Sequence, residues 1–267
     1  MDAEIEELSR YLVDKLESTP SPQRLLVGIA GIPASGKSTF SLLLTERTNR
    51  ILQGRLISSQ NSSAEDKNQR PLSIESDVQP TSSVHGQAIL VGLDGWHLSR
   101  AQLDVLPDPQ LAHDRRGIHW TFDGTGYVDF LQKLRDTTNT AVITAPSFDH
   151  ALKDPSPDAV SIHPHHRIVI IEGLYVFLAV PPWSDAELLL DERWFVEVDT
   201  AEARRRLVGR HVLTGVAKDA QEAEWRADEN DIPNGQFIIA NMLEPTMIIQ
   251  SKNIPALSGV DAENTHV

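Results

Sequence analysis

The chain has 267 residues, 40% of them hydrophobic, which is enough for one large α/β domain or about two smaller ones. Its formal net charge of -14 and pI of about 5.1 disfavour a general affinity for nucleic-acid phosphates or anionic lipid. The absence of cysteine excludes disulfides, a thiolate nucleophile and a Cys-type zinc site, and a mean hydropathy of -0.26 without a long apolar run indicates a soluble protein.

The first 20 residues predict an N-terminal helix. Ile5, Leu8, Leu12 and Leu16 recur at helical spacing and form one apolar stripe. We favour the interpretation that this stripe packs the helix on its own domain; the alternative is that it binds a partner. The segment is acidic and lacks the basic start and apolar core of a secretory signal, so we expect a cytoplasmic protein.

A glycine-rich loop, GIPASGKST, follows at residues 31–39, between a strand-like apolar segment and a segment of helical periodicity. Its glycines let successive backbone N–H groups turn inward onto a phosphate, and the N-terminus of the following helix adds positive potential. Lys37 would reach the β- and γ-phosphates, and the Ser38 hydroxyl would ligate Mg²⁺. The predicted nucleotide-binding residues are Gly31, Ile32, Pro33, Ala34, Ser35, Gly36, Lys37, Ser38 and Thr39.

Residues 54–87 break the pattern of alternating strands and helices. The segment is rich in Ser, Gln, Asn and Pro and has few large apolar side chains. This composition predicts a flexible surface insertion after the first helix of the sheet domain.

Two later apolar strands each end in an acidic residue. AILVGLDGWHL, at residues 88–98, contains Asp94, and RIVIIEG, at residues 167–173, contains Glu172. Because an open α/β sheet places such strand ends over its ligand crevice, the two carboxylates are expected at one site. One would hold Mg²⁺ beside Ser38 and the other would accept a proton from an attacking hydroxyl, although either could instead cap a turn.

Two loops between these strands carry further candidates for binding an acceptor. Arg115 and Arg116 would grip an anionic group, or they would only neutralise the acidic surface, and the residues themselves do not decide. Phe148 and Asp149 follow a strand-like segment and would wall a pocket, or they would form a structural turn.

The region of about 200–230 is predicted to form a lid. After the strand WFVEVD, Arg206 and Arg210 lie four residues apart and share one helical face. In a phosphoryl-transfer enzyme such a face stabilises charge on the transferring group, whereas on an isolated helix it would only be solvated. Residues 252–267 are predicted to be a flexible tail.

In chain order, the motifs resemble those of a known family. They are GIPASGKST, LDGWHLSRAQLD, RRGIHWTFDG, PSFDHALKDP, IEGLYVFL, DERWFVEVD, RLVGRHVLTGVA and NDIPNG. The pattern is similar to the uridine kinase, phosphoribulokinase and bacterial pantothenate kinase superfamily. Within it, the chain looks most like nucleoside or fructose-operon kinase-like proteins and fungal P-loop kinases. The likeness runs from about residue 25 to 249, apart from the insertion.

The resemblance implies a single domain with a three-layer α/β P-loop NTPase fold of the kinase group. Such a fold has a five-stranded parallel sheet, helices on both faces and a helical lid. It also implies ATP and Mg²⁺ as cofactors, with transfer of the γ-phosphoryl group to a hydroxyl of a nucleoside, a pantothenate-like acid or a sugar. The roles that it assigns are base for Asp94, metal ligand for Glu172, catalytic for Lys37, Arg206 and Arg210, and acceptor pocket for Trp96 and His97.

Two departures from the family pattern concern the acceptor. Trp96 stands where relatives more often have Phe, and Leu174 replaces a more common Asn.

A GTPase is disfavoured because the chain has no Asn-Lys-x-Asp segment. The remaining alternative is a non-catalytic ATP-binding regulatory protein that has lost its acceptor. We expect no nucleic-acid or membrane partner, and a homodimer is left open.

Overall fold

Parallel strands form the centre of the computed structural model, which describes residues 2–64, 86–149 and 152–252. The strands are β1 (Leu25–Gly31), β2 (Ala88–Gly92), β3 (Ile143–Asp149), β4 (Asp154–Ile162), β5 (Ile168–Gly173), β6 (Glu192–Glu197) and β7 (Met247–Gln250). Five of them form one sheet in the order β2-β5-β1-β6-β7, and every neighbouring pair in it is parallel. The predicted five-stranded parallel sheet is confirmed.

Helices cover both faces of this sheet. They are α1 (Asp2–Glu17), α2 (Lys37–Ala64), α3 (Arg100–Leu103), α4 (Pro109–Asp114), α5 (Gly124–Arg135), α6 (Thr200–Leu213), α7 (Ala220–Arg226) and α8 (Ile232–Asn241). Three 3₁₀ turns, Leu93–Trp96, His119–Thr121 and Trp183–Leu188, and one π-helical segment, Ala227–Asp231, complete the described elements. No helix in the described ranges is long and apolar enough to cross a membrane.

Successive residues of β1 face two different hydrophobic cores. Leu26 packs in the core that contains Tyr127 and Phe130 of α5. Val27, the next residue, packs in the core that contains Leu12 of α1 and Leu44 of α2. Because strand side chains alternate between the faces of a sheet, this pattern gives three layers, helix on sheet on helix. It also explains why β1 is apolar and buried along its whole length.

The apolar stripe of the N-terminal helix lies inside the domain. Ile5, Leu8, Leu12 and Leu16 of α1 are all buried. They belong to the core that α2 and the sheet share. The prediction that this helix packs on its own domain is confirmed.

α2 is longer than the sequence predicts. It continues through Ala64, so residues 54–64 are helical and the predicted start of a flexible insertion at residue 54 is corrected. Arg55, within this extension, pairs with Asp14 (Nη2–Oδ1 2.7 Å) and with Glu17, both on α1. A polar sequence suits an exposed helix that is tied to a neighbour by ion pairs. Residues 65–85 of the predicted insertion and 253–267 of the predicted tail lie outside the described residues.

β3 and β4 form an antiparallel hairpin beside the main sheet. The hairpin packs on the turn Leu93–Trp96, and at Gly95 any side chain would overlap the backbone of Pro146. The glycine therefore permits the contact that holds the hairpin against the end of β2. The strand-like segment that the sequence predicts before Phe148 extends through Asp149, so both residues lie within β3.

The region that the sequence predicts as a lid is helical and cross-linked. Arg204 of α6 makes two hydrogen bonds to Asp228 of the π-helical segment, at 2.7 and 2.8 Å. His211 of α6 lies with Nε2 2.8 Å from Asp231 of the same segment. These contacts make α6 and Ala227–Asp231 one packed unit, and its movement as a lid stays a prediction.

Candidate functional site

The loop between β1 and α2 has the backbone conformation that the glycine motif predicts. Gly36 has φ of 87°, a value that glycine adopts without strain. Ala34 also lies in the left-handed region, with φ of 61°. A side chain at Gly31 would overlap the hydroxyl of Ser35 and approach Val196 O at 2.9 Å. The loop is therefore tightly folded between β1, β6 and the start of α2.

Residues of this loop divide between the core and a cleft. Ile32 and Ser35 are buried, and Ile32 lies against Gly235 of α8. The loop and helix residues that face the cleft are Pro33, Ala34, Lys37 and Ser38. The predicted loop thus forms one wall of the cleft through Pro33, Ala34, Lys37 and Ser38.

Glu172, at the end of β5, lies against the start of α2. The hydroxyl of Ser38 donates toward both carboxylate oxygens of Glu172, each 3.2 Å away. Burial raises the pKa of Glu172, and nearby Lys37 opposes that rise. Burial likewise lowers the pKa of Lys37, with Glu172 and Asp94 opposing the change. Lys37 and Glu172 thus each favour the charged form of the other, against the effect of burial.

The donor atoms present fit a magnesium-bound triphosphate. A hydroxyl and a carboxylate, the ligand types that Mg²⁺ prefers, meet at Ser38 and Glu172. Lys37 supplies a positive charge beside them, at the N-terminus of a long helix. The left-handed residues Ala34 and Gly36 give the loop the irregular backbone typical of a phosphate cradle.

Asp94 lines the same cleft as this loop and lies on the 3₁₀ turn that follows β2. Its side chain is 52% exposed, with Oδ1 3.9 Å from Nδ1 of His97. The same Nδ1 is 2.8 Å from the backbone carbonyl of Asp94. Because a carbonyl only accepts, His97 donates from Nδ1 and thereby fixes the turn that presents the Asp94 carboxylate.

One cleft of about 480 Å³ unites most of the predicted catalytic and binding groups. Its described lining contains Asp94 and Glu172 from two strand ends, Lys37 and Ser38 from α2, Arg115 and Arg116 from the loop after α4, and Arg210 from α6. With Asp231, which also lines the cleft, three carboxylates, a hydroxyl and four cationic groups therefore face one volume. Such a set can bind phosphates and accept a proton within the same site.

Trp96 does not face this cleft, so the interpretation of Trp96 as a wall of the acceptor pocket is corrected. Its side chain is 5% exposed and belongs to the hydrophobic core. Its ring packs on Phe130 and Tyr127, with centroids 5.0 and 5.6 Å away. The 3₁₀ turn directs Asp94 outward and Trp96 inward, two residues later.

His97 and Phe148 pack on each other, and Asp149 follows Phe148 at the end of β3. The His97 ring lies between Phe122 and Phe148, with centroid separations of 3.9 and 4.8 Å. The Asp149 carboxylate accepts a hydrogen bond from the backbone N–H of Leu152 at 2.9 Å. None of the three predicted residues is among the described residues that line the cleft. In this structure His97 supports the turn at Asp94, Phe148 packs on His97, and Asp149 holds the chain after β3.

The two arginines of α6 have different surroundings. Arg210 lines the cleft. Arg206 donates to the carbonyl of Ala34 at 3.2 Å, to Glu202 at 2.8 Å and to the Ser251 hydroxyl at 2.9 Å. It therefore braces the glycine-rich loop. The equal roles that the sequence suggests for these residues are not reflected in their contacts.

Several residues that line the cleft were not singled out by the sequence. The described ones are Gly117, Ile118, His119, Gly173, Asn230, Asp231, Pro233, Asn234 and Phe237, while Leu174, which the sequence had marked as a departure from the family pattern, lines the cleft as well. Tyr175 ties two of the segments together, since its hydroxyl lies 2.5 Å from Asn234 Oδ1 and 2.8 Å from Gly117 O. His119 stacks on Phe237, with centroids 4.7 Å apart and planes 9° from parallel. The motif NDIPNG was the sequence signal that could have pointed to some of these residues, because it lies at the start of α8 and contributes to the cleft lining.

Known proteins resemble the chain in both sequence and fold, although no protein-family model matches it. The chain is 32% identical over 228 residues to a protein of Schizosaccharomyces pombe named as a candidate uridine kinase, covering 85% of this chain and 83% of that protein. It is 50% identical over 153 residues to an ATP-dependent kinase-like protein of Aspergillus versicolor, covering 57% of this chain and 89% of the relative.

A solved structure extends the likeness to the whole fold. A candidate fructose transport system kinase from Silicibacter sp. TM1040 superposes with a TM-score of 0.69 at 27% identity. The match covers 91% of this chain and 98% of that one. The superfamily that the motifs predict is therefore confirmed. The chain belongs to the P-loop kinase superfamily that includes the uridine kinase-like proteins.

Proposed function

We propose that this P-loop kinase transfers the γ-phosphoryl group of ATP to a hydroxyl group of a small metabolite. The observation that carries the proposal is the placement of Asp94 in the same cleft as Lys37, Ser38 and Glu172. A site that only bound a nucleotide and its metal ion would have no need of Asp94 in addition to Glu172. A kinase needs such a second carboxylate to accept the proton of the attacking hydroxyl.

The residues divide into a donor side and an acceptor side. Lys37 and the loop backbone would hold the triphosphate, while Ser38 and Glu172 would hold Mg²⁺. When bound, the magnesium-ATP complex would supply the γ-phosphoryl group. The bond from its phosphorus atom to the β,γ-bridging oxygen would break as a bond from the same phosphorus to the acceptor oxygen forms. Asp94 orients the acceptor hydroxyl and takes its proton. Arg210 offsets negative charge on the transferring group.

Catalysis in such a site is mainly a matter of position and charge. His97 fixes the turn that carries Asp94, and the Ser38–Glu172 pair sets the metal side. Residues of the cross-linked segment Ala227–Asp231 and of α8 also line the cleft. An acceptor that fills this volume would displace water from it, which favours transfer to the acceptor over hydrolysis.

A screen with labelled ATP tests the proposal. The purified protein is incubated with Mg²⁺, labelled ATP and a panel of hydroxyl-bearing nucleosides, sugars and hydroxy acids. Transfer to a compound is scored against release of inorganic phosphate, and Lys37→Ala serves as the control for contaminating kinases. We expect transfer to one chemical class that is lost in the variant. ATP binding without transfer to any compound would instead favour the non-catalytic regulatory protein.

A further inference from the structure

We infer that the acceptor carries an anionic group, a carboxylate or a phosphate, and that Arg115 binds it. The inference rests on the proposed function, because it specifies the chemical class of the hydroxyl compound. It begins from the surroundings of Arg115, which differ from those of the arginines nearby. Arg115 lines the cleft and is exposed to it.

The guanidinium of Arg115 is held in place by uncharged oxygen atoms. Its Nη1 donates to the backbone carbonyl of Glu229 at 2.9 Å and to the side-chain oxygen of Asn230 at 2.8 Å. Both contacts use the same nitrogen, so the edge formed by Nε and Nη2 is the remaining pair of donors. This edge has the geometry that binds a carboxylate or phosphate through two parallel hydrogen bonds.

Three other arginines of this region have their charge neutralised within the protein. Arg116 pairs with Asp154 at 2.9 Å, Arg204 with Asp228 at 2.7 Å and Arg226 with Glu222 at 2.9 Å. Within the described ranges, Arg115 has no acidic partner at salt-bridge distance. Arg210, which also lines the cleft, likewise has no acidic partner at salt-bridge distance among the described residues, so Arg115 and Arg210 are the two cleft arginines whose charge no nearby carboxylate neutralises.

Arg116, by contrast, has a structural position. It also donates to the backbone carbonyls of Leu98 (2.8 Å) and Lys153 (2.5 Å), and its guanidinium lies over the ring of Phe148 at 5.4 Å. These contacts join the hairpin to the loop after α4. Both arginines line the cleft, but Arg116 is paired with Asp154 and tied to the loop, whereas Arg115 has only uncharged partners and keeps a pair of donors for a ligand.

Arg115 should favour an anionic acceptor over a neutral one, because a bound acceptor covers its guanidinium. In the open cleft water solvates the exposed guanidinium, so the absence of a counter-charge costs little. A neutral acceptor that covers it would displace this water without compensating the charge, whereas an anionic acceptor would compensate it. The stacked pair of His119 and Phe237 offers an apolar surface for the carbon skeleton beside it. Burial lowers the pKa of His119 and so favours its neutral form.

The test compares matched acceptors that differ in charge. The pairs are glycerate and glycerol, pantothenate and pantothenol, and ribulose 5-phosphate and ribulose, with uridine as a neutral nucleoside. The wild-type chain is compared with Arg115→Gln, with Arg115→Lys, which keeps the charge but loses the planar fork, and with Arg10→Gln. Arg10 is 61% exposed on α1 and pairs with Glu6 there, so its variant controls for the lost charge.

We expect transfer to an anionic member of one pair, with its neutral partner at least about 10-fold poorer in kcat/KM. Arg115→Gln should raise KM for that anionic acceptor about 10- to 100-fold, the range expected for hydrogen bonds to a charged group. Arg115→Lys should recover part of this loss. The KM for ATP should stay within about threefold, and Arg10→Gln should match the wild type.

Acceptor binding is also measured by calorimetry in the presence of a non-hydrolysable ATP analogue, which separates affinity from turnover. Equal or better transfer to the neutral members, or an unchanged KM in Arg115→Gln, would overturn the inference while leaving the kinase intact. Transfer to no compound in the panel would remove the proposed function, and the inference with it.

Discussion

The hydroxyl of Ser38 lies 3.2 Å from each carboxylate oxygen of Glu172, which joins the first turn of α2 to the end of β5. These residues are distant in the sequence and meet because β1 and β5 are adjacent parallel strands. Carboxyl ends of parallel strands meet at one edge of a sheet, so the topology itself assembles the metal side of the site.

Replacing Glu172 with glutamine should lower phosphoryl transfer by about 100-fold or more, because a metal ligand loses its charge. The Mg²⁺ concentration for half-maximal activity should rise in parallel. A magnesium titration of the transfer rate measures both effects. Glu244→Gln, at an exposed position, is the matched control. An unchanged magnesium requirement in Glu172→Gln would exclude Glu172 as the ligand.

The two arginines of α6 should separate kinetically, because Arg206 contacts the carbonyl of Ala34 while Arg210 lines the cleft. Arg206→Gln should mainly raise KM for ATP, whereas Arg210→Gln should lower kcat by about 100-fold or more. Steady-state kinetics at varied ATP distinguishes these results. Arg205→Gln, on an exposed part of the same helix, should behave as the wild type. The same kinetic defect in both variants would contradict the division of roles.

Gly95 should not tolerate a side chain. An alanine there would overlap the backbone of Pro146 and displace the hairpin, which should cost about 1–3 kcal/mol of unfolding free energy. Gly54→Ala is the control, since that helical position has open space around it and should be stabilised by about 0.5–1 kcal/mol. Urea unfolding measures both. A Gly95→Ala variant as stable as the wild type would show that the hairpin yields without cost.

Glu192 is a buried carboxylate that should stabilise the fold above acidic pH. It is 2% exposed and accepts hydrogen bonds from Tyr11, Lys15, Trp194 and Thr246. Burial alone would raise the pKa of Glu192, but these hydrogen bonds outweigh burial and hold it below its ordinary value. Stability from this group is therefore fully present above the unfolded-state pKa and is lost as the pH falls through the lower folded-state pKa.

The Glu192→Gln variant should be less stable than the wild type at pH 7 by about 1–3 kcal/mol, because buried donors lose a charged acceptor. The difference should narrow as the pH falls below about 4. Urea unfolding at several pH values measures it, with Glu7→Gln, exposed on α1, as the control. A difference that stays constant down to pH 3 would show that the ionisation of Glu192 does not stabilise the fold.

Local patterns in the sequence are enough to predict the donor side. The glycine loop needs residues that adopt unusual backbone angles, and Gly36 does adopt one. Asp94 and Glu172 could be predicted because an acid that directly follows a buried apolar strand must emerge at the ligand edge of a parallel sheet. The position of Lys37 at the first turn of a helix follows from the same motif.

The acceptor side depends on contacts between segments that are distant in the sequence, so it is harder to predict from the sequence. Trp96 follows Asp94 by only two residues, yet the 3₁₀ turn places it in the core. Asn234 and Phe237 reach the cleft because α8 packs beside the loop that contains His119. The periodicity of the sequence does not predict which loop a helix packs against. Arg115 and Arg116 are chemically identical in the sequence and differ only in the partners that the fold gives them.

Substitution of Asp94 is the most direct test of the kinase assignment. Asp94→Asn keeps the shape of the side chain and removes its ability to accept a proton. Transfer of labelled phosphate to the acceptor should fall by about 100-fold or more, while the affinity for ATP, measured by calorimetry, should stay within about threefold. Unchanged turnover in Asp94→Asn would contradict the account, because the carboxylate that shares the cleft with the phosphate loop would then have no part in the transfer.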